Sequence, residues 1–136
     1  LDWHSVTNGS FRRNGGIWLD HCVQNTWGAS LDTRFFILES KPNQERCYYK
    51  GKDDNVEEYS AYFARNTVGK VLHEQIKEEV IVCGIASEYC VMETVKELLK
   101  DNKKVSLLRN GLGFVDPVTH KEALRIYEQL GVDWVE

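Results

Sequence analysis

The 136 residues, 42% hydrophobic and 28% charged, suit one domain that buries about two-thirds of its unfolded surface. No stretch approaches the ~20 apolar residues of a membrane span, which excludes a transmembrane helix of ordinary length. Seventeen Lys and Arg against 21 Asp and Glu leave a net charge of -4 with no basic tract, which argues against nucleic-acid binding through phosphate neutralisation.

The first 30 residues hold three Trp, two His and four Gly with little periodicity, and read as a structured functional loop. Cys47–Lys50 reads as a strand, and the polar stretch Lys52–Glu58 as a solvated loop. Thr67–Glu78 is expected to be a helix with Val68, Val71, Leu72 and Ile76 inward. Val80–Ala86 is a continuous apolar run rich in β-branched residues, expected as a strand buried on both faces, with Cys83 an inert thiol inside it. Ser87 can cap the next helix, where Val91, Val95, Leu98 and Leu99 recur at helical spacing. Val105–Leu108 is the following strand, closed by Asn110-Gly111. Thr119–Glu122 has the form of a capping box, opening a helix that Gly131 ends before a last strand at Val132–Val135. Strand and helix alternate, so the expected fold class is α/β, an open and mainly parallel sheet with helices on both faces.

In such sheets ligands gather beyond the carboxyl ends of the strands. Cys90 falls there, in the first turn of a helix, where unpaired N–H groups and the helix dipole favour a thiolate and can receive an oxyanion. Position alone serves a buried structural cysteine equally well. Lys50 ends its strand and can hold a carboxylate or favour a neighbouring thiolate, although most strand-end lysines are merely solvated. Asp2 and His4 lie two apart on an extended segment and point the same way, and His21 can return to them through the Gly15-Gly16 turn. Two imidazoles and a carboxylate with open positions compose a catalytic metal site. His73 and His120 are read as carrying no function. The four cysteines form no CxxC pair, so neither a zinc ribbon nor a disulfide scaffold is expected, and reduced thiols fit a cytoplasmic protein. The chain opens on Leu1-Asp2-Trp3-His4 with no signal peptide, and reads as continuing from something upstream.

Asp2-Trp3-His4, Gly15-Gly16-Ile17-Trp18, His21-Cys22-Val23-Gln24-Asn25-Thr26-Trp27-Gly28-Ala29, Tyr49-Lys50-Gly51, Tyr59-Ser60-Ala61-Tyr62 and Gly84-Ile85-Ala86-Ser87-Glu88-Tyr89-Cys90-Val91 occur in that order. The series resembles the nicotinamidases, within the isochorismatase-like cysteine hydrolases, and spans nearly the whole chain. The resemblance implies a single three-layer α/β/α cysteine-hydrolase domain over 1–136, with its first strand and the triad's Asp upstream of Leu1. It implies that Cys90 is the nucleophile attacking a carboxamide, that Lys50 is the cation of the triad, and that the amides of Ala86 and Cys90 form the oxyanion hole. It further implies a cis peptide at Ile85–Ala86. Asp2, His4 and His21 would hold a divalent ion, zinc above iron or manganese, while Trp18 and Tyr59 would flank a flat aromatic substrate. The implied activity turns nicotinamide into nicotinate and ammonia, a step of pyridine nucleotide salvage. Many family members carry a further His where this chain has Asn8. The expected partner is a small-molecule amide, with no nucleic acid and no membrane, and self-association stays open. Two other readings remain: a related hydrolase for another small amide, and a non-catalytic member that binds a small ligand.

Overall fold

The computed structural model describes residues 1–136. The chain forms two compact units, Leu1–Leu72 and His73–Glu136. No helix is long and apolar enough to cross a membrane.

The second unit alternates strand and helix: β1 (Glu79–Gly84), α1 (Cys90–Lys100), β2 (Lys104–Leu112), α2 (Pro117–Leu130) and β3 (Asp133–Val135). The three strands are parallel, in the order β1-β2-β3. Register pairs Val80 with Val105, Val82 with Leu107, and Leu107 with Trp134, so these side chains share one face. With the usual right-handed crossovers, that strand order puts both helices over this same face. Val91, Val95 and Leu98 of α1 are buried, as are Val105 and Leu107 of β2 and Ala123 and Tyr127 of α2. Tyr127 meets Trp134 edge-to-face at 6.2 Å.

Several local expectations change. Val80–Ala86 is not buried on both faces: β1 pairs only with β2, and Ile81 is 63% exposed. Cys83 shares that open face and is exposed, not an interior thiol. Ser87 does not cap α1; the cap position is Tyr89, without a side-chain bond, and the Ser87 hydroxyl is used elsewhere. Thr119 does not open α2 as a capping box. The helix starts two residues earlier at Pro117, and Asp116 accepts from the Val118 and Thr119 N–H groups at 3.0 and 2.9 Å. Gly131 closes α2 in the left-handed region at φ 74°, as expected.

The first unit contains short 3-10 turns at Arg12–Asn14, Trp27–Ala29 and Thr33–Ile37, and isolated β-bridges. The expected strand Cys47–Lys50 is reduced to bridges at Tyr49 and Lys50. The expected helix over Thr67–Glu78 is absent apart from a 3-10 turn at Leu72–Glu74. Gly69 sits at φ 88°, and Asn66 Oδ1 accepts from the Lys70 N–H at 2.8 Å, so a turn forms where the helix would run. Within this unit, residues 1–4 lie between two partners. Lys50 N–H donates to the Leu1 carbonyl at 3.0 Å and Trp3 N–H to the Lys50 carbonyl at 2.9 Å. On the other side, His4 N–H donates to the Cys22 carbonyl at 3.0 Å and Gln24 N–H to the His4 carbonyl at 2.8 Å. This ribbon fixes the backbone that carries Asp2, His4 and Lys50.

Candidate active site

Because Asp2 and His4 alternate with Trp3 on an extended segment, both project to one side, and the ribbon brings Lys50 and His21 to them. The ligand atoms of Asp2, His4 and His21 all lie within 4.8 Å of one another. His4 is buried, Asp2 is half-buried and His21 is exposed. Each imidazole is oriented from behind: His4 Nδ1 is 2.8 Å from the Gly51 carbonyl, and His21 Nδ1 is 2.7 Å from the Leu19 carbonyl. A carbonyl only accepts, so each Nδ1 carries a proton, which leaves Nε2 as the ring atom that would face a metal ion. Two Nε2 acceptors beside a carboxylate form a donor set that suits a divalent transition-metal ion. Phe11, fully buried, underlies both rings at 5.5 and 5.4 Å and holds them 5.0 Å apart.

Gly51 is the residue on which this geometry depends most closely. It sits at φ 70°, and a Cβ there would lie 2.7 Å from His4 Nδ1. Its N–H donates to Glu58 Oε2 at 2.8 Å, and its carbonyl also receives Asn8 Nδ2 at 3.3 Å. Asn8 is 2% exposed, and its Oδ1 accepts from the Ser10 N–H at 3.0 Å. Both ends of the Asn8 amide are therefore occupied by backbone, and it braces the loop that carries His4.

Lys50 is buried, and its Nζ donates to Asp2 Oδ1 at 2.5 Å and to the Glu58 carbonyl at 2.8 Å. Trp18 and Tyr59 come together as expected: their rings are 6.4 Å apart at 88°, and the indole N–H donates to Tyr59 Oη at 3.2 Å and to Glu57 Oε1 at 2.8 Å. Trp18 also meets His21 edge-on at 6.4 Å. Glu57, Glu58 and Phe11 escaped sequence reasoning. The two glutamates sat in a polar run that looked like solvated loop, and Phe11 had no periodic partner.

In the second unit, Cys90 is the first residue of α1 and is half-buried. Ala86 is buried, the Ile85–Ala86 peptide is cis, and the Ala86 carbonyl accepts from the Tyr89 and Val91 N–H groups at 3.0 and 3.1 Å. Gly84, at φ 131°, marks the register shift that ends β1, and its carbonyl accepts from the Gly113 N–H at 2.9 Å. The loop from Ile85 to Tyr89 thus delivers Cys90 to a helix start at the carboxyl end of a parallel strand.

The model of the isochorismatase domain matches residues 52–136. The chain is 32% identical to the nicotinamidase of Escherichia coli over 130 residues, 81% of this chain and 59% of that protein. It is 30% identical to the nicotinamidase of Saccharomyces cerevisiae over 124 residues, 86% of this chain and 55% of that protein. It therefore spans less than two-thirds of the length of either curated relative. The crystal structure of the pyrazinamidase of Pyrococcus horikoshii in complex with zinc superposes on 99% of this chain and 72% of that one, with a TM-score of 0.79 and 32% identity. With the parallel sheet and the ordered motifs beside that match, the chain belongs to the isochorismatase family.

Proposed function

We propose that the protein hydrolyses nicotinamide to nicotinate and ammonia. The observation that carries this reading is the meeting of Asp2, His4 and His21 beside the Trp18–Tyr59 pair. The names of the curated relatives support the substrate. Trp18 and Tyr59 offer aromatic walls to a flat ring. Asp2, His4 and His21 would hold the divalent ion, and the zinc in the Pyrococcus relative supports that choice. When bound, the ion supplies a Lewis acid for the pyridine nitrogen.

The Cys90 thiolate attacks the carboxamide carbon, and the carbonyl oxygen becomes an oxyanion facing the amides of Ala86 and Cys90. Collapse of that adduct breaks the C–N bond, the nitrogen takes up the proton that the Cys90 thiol gave up on ionising, and ammonia leaves a thioester on Cys90. Water then adds to the thioester, the C–S bond breaks, and nicotinate departs with the thiol restored. In this scheme Lys50 is the cation of the triad, and Glu58 and Asp2 fix its ammonium. The four cysteines form no disulfide, which suits a reducing, cytoplasmic setting.

Comparison of nicotinamide with benzamide tests the reading. Benzamide keeps the ring and the amide but lacks the ring nitrogen, so its kcat/KM is expected to be lower by on the order of 10²-fold or more. Equal values for the two amides would contradict an anchored pyridine and favour a general small-amide hydrolase.

A further inference from the structure

The loop between β1 and α1 is gripped through one residue. Ser87 has no solvent exposure, and every polar group it carries is engaged. Its N–H donates to the Gly113 carbonyl at 2.9 Å, and its own carbonyl accepts from Tyr127 Oη. Its Oγ lies 3.0 Å from Glu88 Oε2 and 2.6 Å from His120 Nδ1.

The direction of these bonds follows from proton counting. Burial works against the charge on Glu88, but the N–H groups of Asp116, Glu88 and Val115 and the Ser87 hydroxyl outweigh it and hold the carboxyl below its ordinary value. Glu88 is therefore ionised at neutral pH and only accepts. Ser87 has one hydroxyl proton and gives it to Glu88, so His120 must be the donor to Ser87 Oγ through Nδ1–H. Phe114 stacks on His120 at 4.5 Å and 18°, and Glu88 Oε1 accepts from Val115 N–H at 2.7 Å and Asp116 N–H at 2.9 Å. The start of α2 and the residues before it thus clamp Ser87 and Glu88, which stand between Ala86 and Cys90.

We propose that Ser87, held by His120 and Tyr127, is a positioning residue that aims the backbone amides of Ala86 and Cys90. The proposal rests on the amide-hydrolase reading, because only there do those amides face a developing oxyanion. Ser87 touches no reacting atom and acts through the peptide on either side. Donors preorganised for an oxyanion act in the transition state, so loosening them lowers kcat and leaves KM in place.

The test compares S87A, S87T and H120F with the wild type in two ways. S87A removes the hub, S87T keeps a hydroxyl, and H120F keeps a ring against Phe114 but removes the donor. S87A and H120F are expected to lower kcat for nicotinamide by about 10- to 100-fold with KM within about twofold, and S87T to recover most of the loss. Amide hydrogen exchange at residues 86–90 should quicken in S87A and H120F while the rest of α1 and β2 exchange as before. If S87A does not fold, H120F carries the test alone, since it breaks only the outer bond. Unchanged kcat, or a loss confined to KM, would overturn the proposal. A wild type that hydrolyses no pyridine carboxamide contradicts the proposed function. The exchange comparison then still decides whether Ser87 and His120 hold the loop: unchanged exchange at 86–90 would overturn it, and faster exchange there would support it.

Discussion

Gly51 stands where chain conformation and ligand orientation meet. Its backbone is left-handed, its missing side chain leaves the room His4 occupies, and its carbonyl holds the His4 proton. Gly51→Ala is expected to cost roughly 1–3 kcal/mol of stability from the strained φ alone, read as a lowered Tm. The same variant should retain less zinc after dialysis, because the imidazole is pushed off its carbonyl. His4→Ala removes a buried ligand outright and is expected to lose most of the ion, measured by elemental analysis. Stoichiometric zinc kept by His4→Ala would remove His4 from the donor set. The Asp-x-His pattern was legible in the sequence because a two-residue spacing on extended chain has one geometric meaning. The roles of Phe11, Glu58 and Asn8 were not, since they act across 7 residues, 7 residues and 43 residues through contacts that no periodicity announces.

At the scale of elements, β1, α1, β2, α2 and β3 were all readable, because their signals are local: a β-branched run, an apolar stripe, a glycine stop. Starts were harder. Thr119–Glu122 matched a capping box, yet Asp116 with Pro117 behind it is the stronger start, with a carboxylate on two N–H groups and a ring preset for the first turn. Asp116→Ala is expected to cost about 1 kcal/mol, checked by denaturant unfolding. Glu88 adds a pH dependence. Its carboxyl lies below the ordinary value in the folded protein, so it stabilises above the unfolded value of ~4.3 and loses that contribution as pH falls through the lower folded value. Wild type should therefore melt above Glu88→Gln at pH 7, and the gap should shrink below about pH 4. A gap that does not change with pH would show that the carboxylate charge is not what ties this loop to α2. The first unit was opaque for a different reason. It is built from single bridges and turns, and its apparent helix over Thr67–Glu78 yields to the turn at Asn66–Lys70.

For the whole molecule, one of the two cysteines of the β1–α1 region departs from the expected burial. Cys83 lies on the open face of the sheet and Cys90 is half-buried at a helix start. Exposure alone makes Cys83 labelled readily by iodoacetamide, so labelling order does not identify the nucleophile. Protection does: saturating nicotinamide is expected to slow alkylation of Cys90 and leave Cys83 unaffected, read by peptide mapping. Equal protection of both, or of neither, would detach the substrate from Cys90.

Ammonia release from nicotinamide, by wild type and by Cys90→Ala, tests the central claim most directly. Both proteins should share the same fold by circular dichroism, because a half-buried side chain loses only its sulfur. A thioester route gives steady ammonia from the wild type and a fall on the order of 10⁴-fold or more in Cys90→Ala, since no other group on the chain replaces a covalent nucleophile. Hydrolysis by Cys90→Ala at a rate close to the wild type's would contradict it.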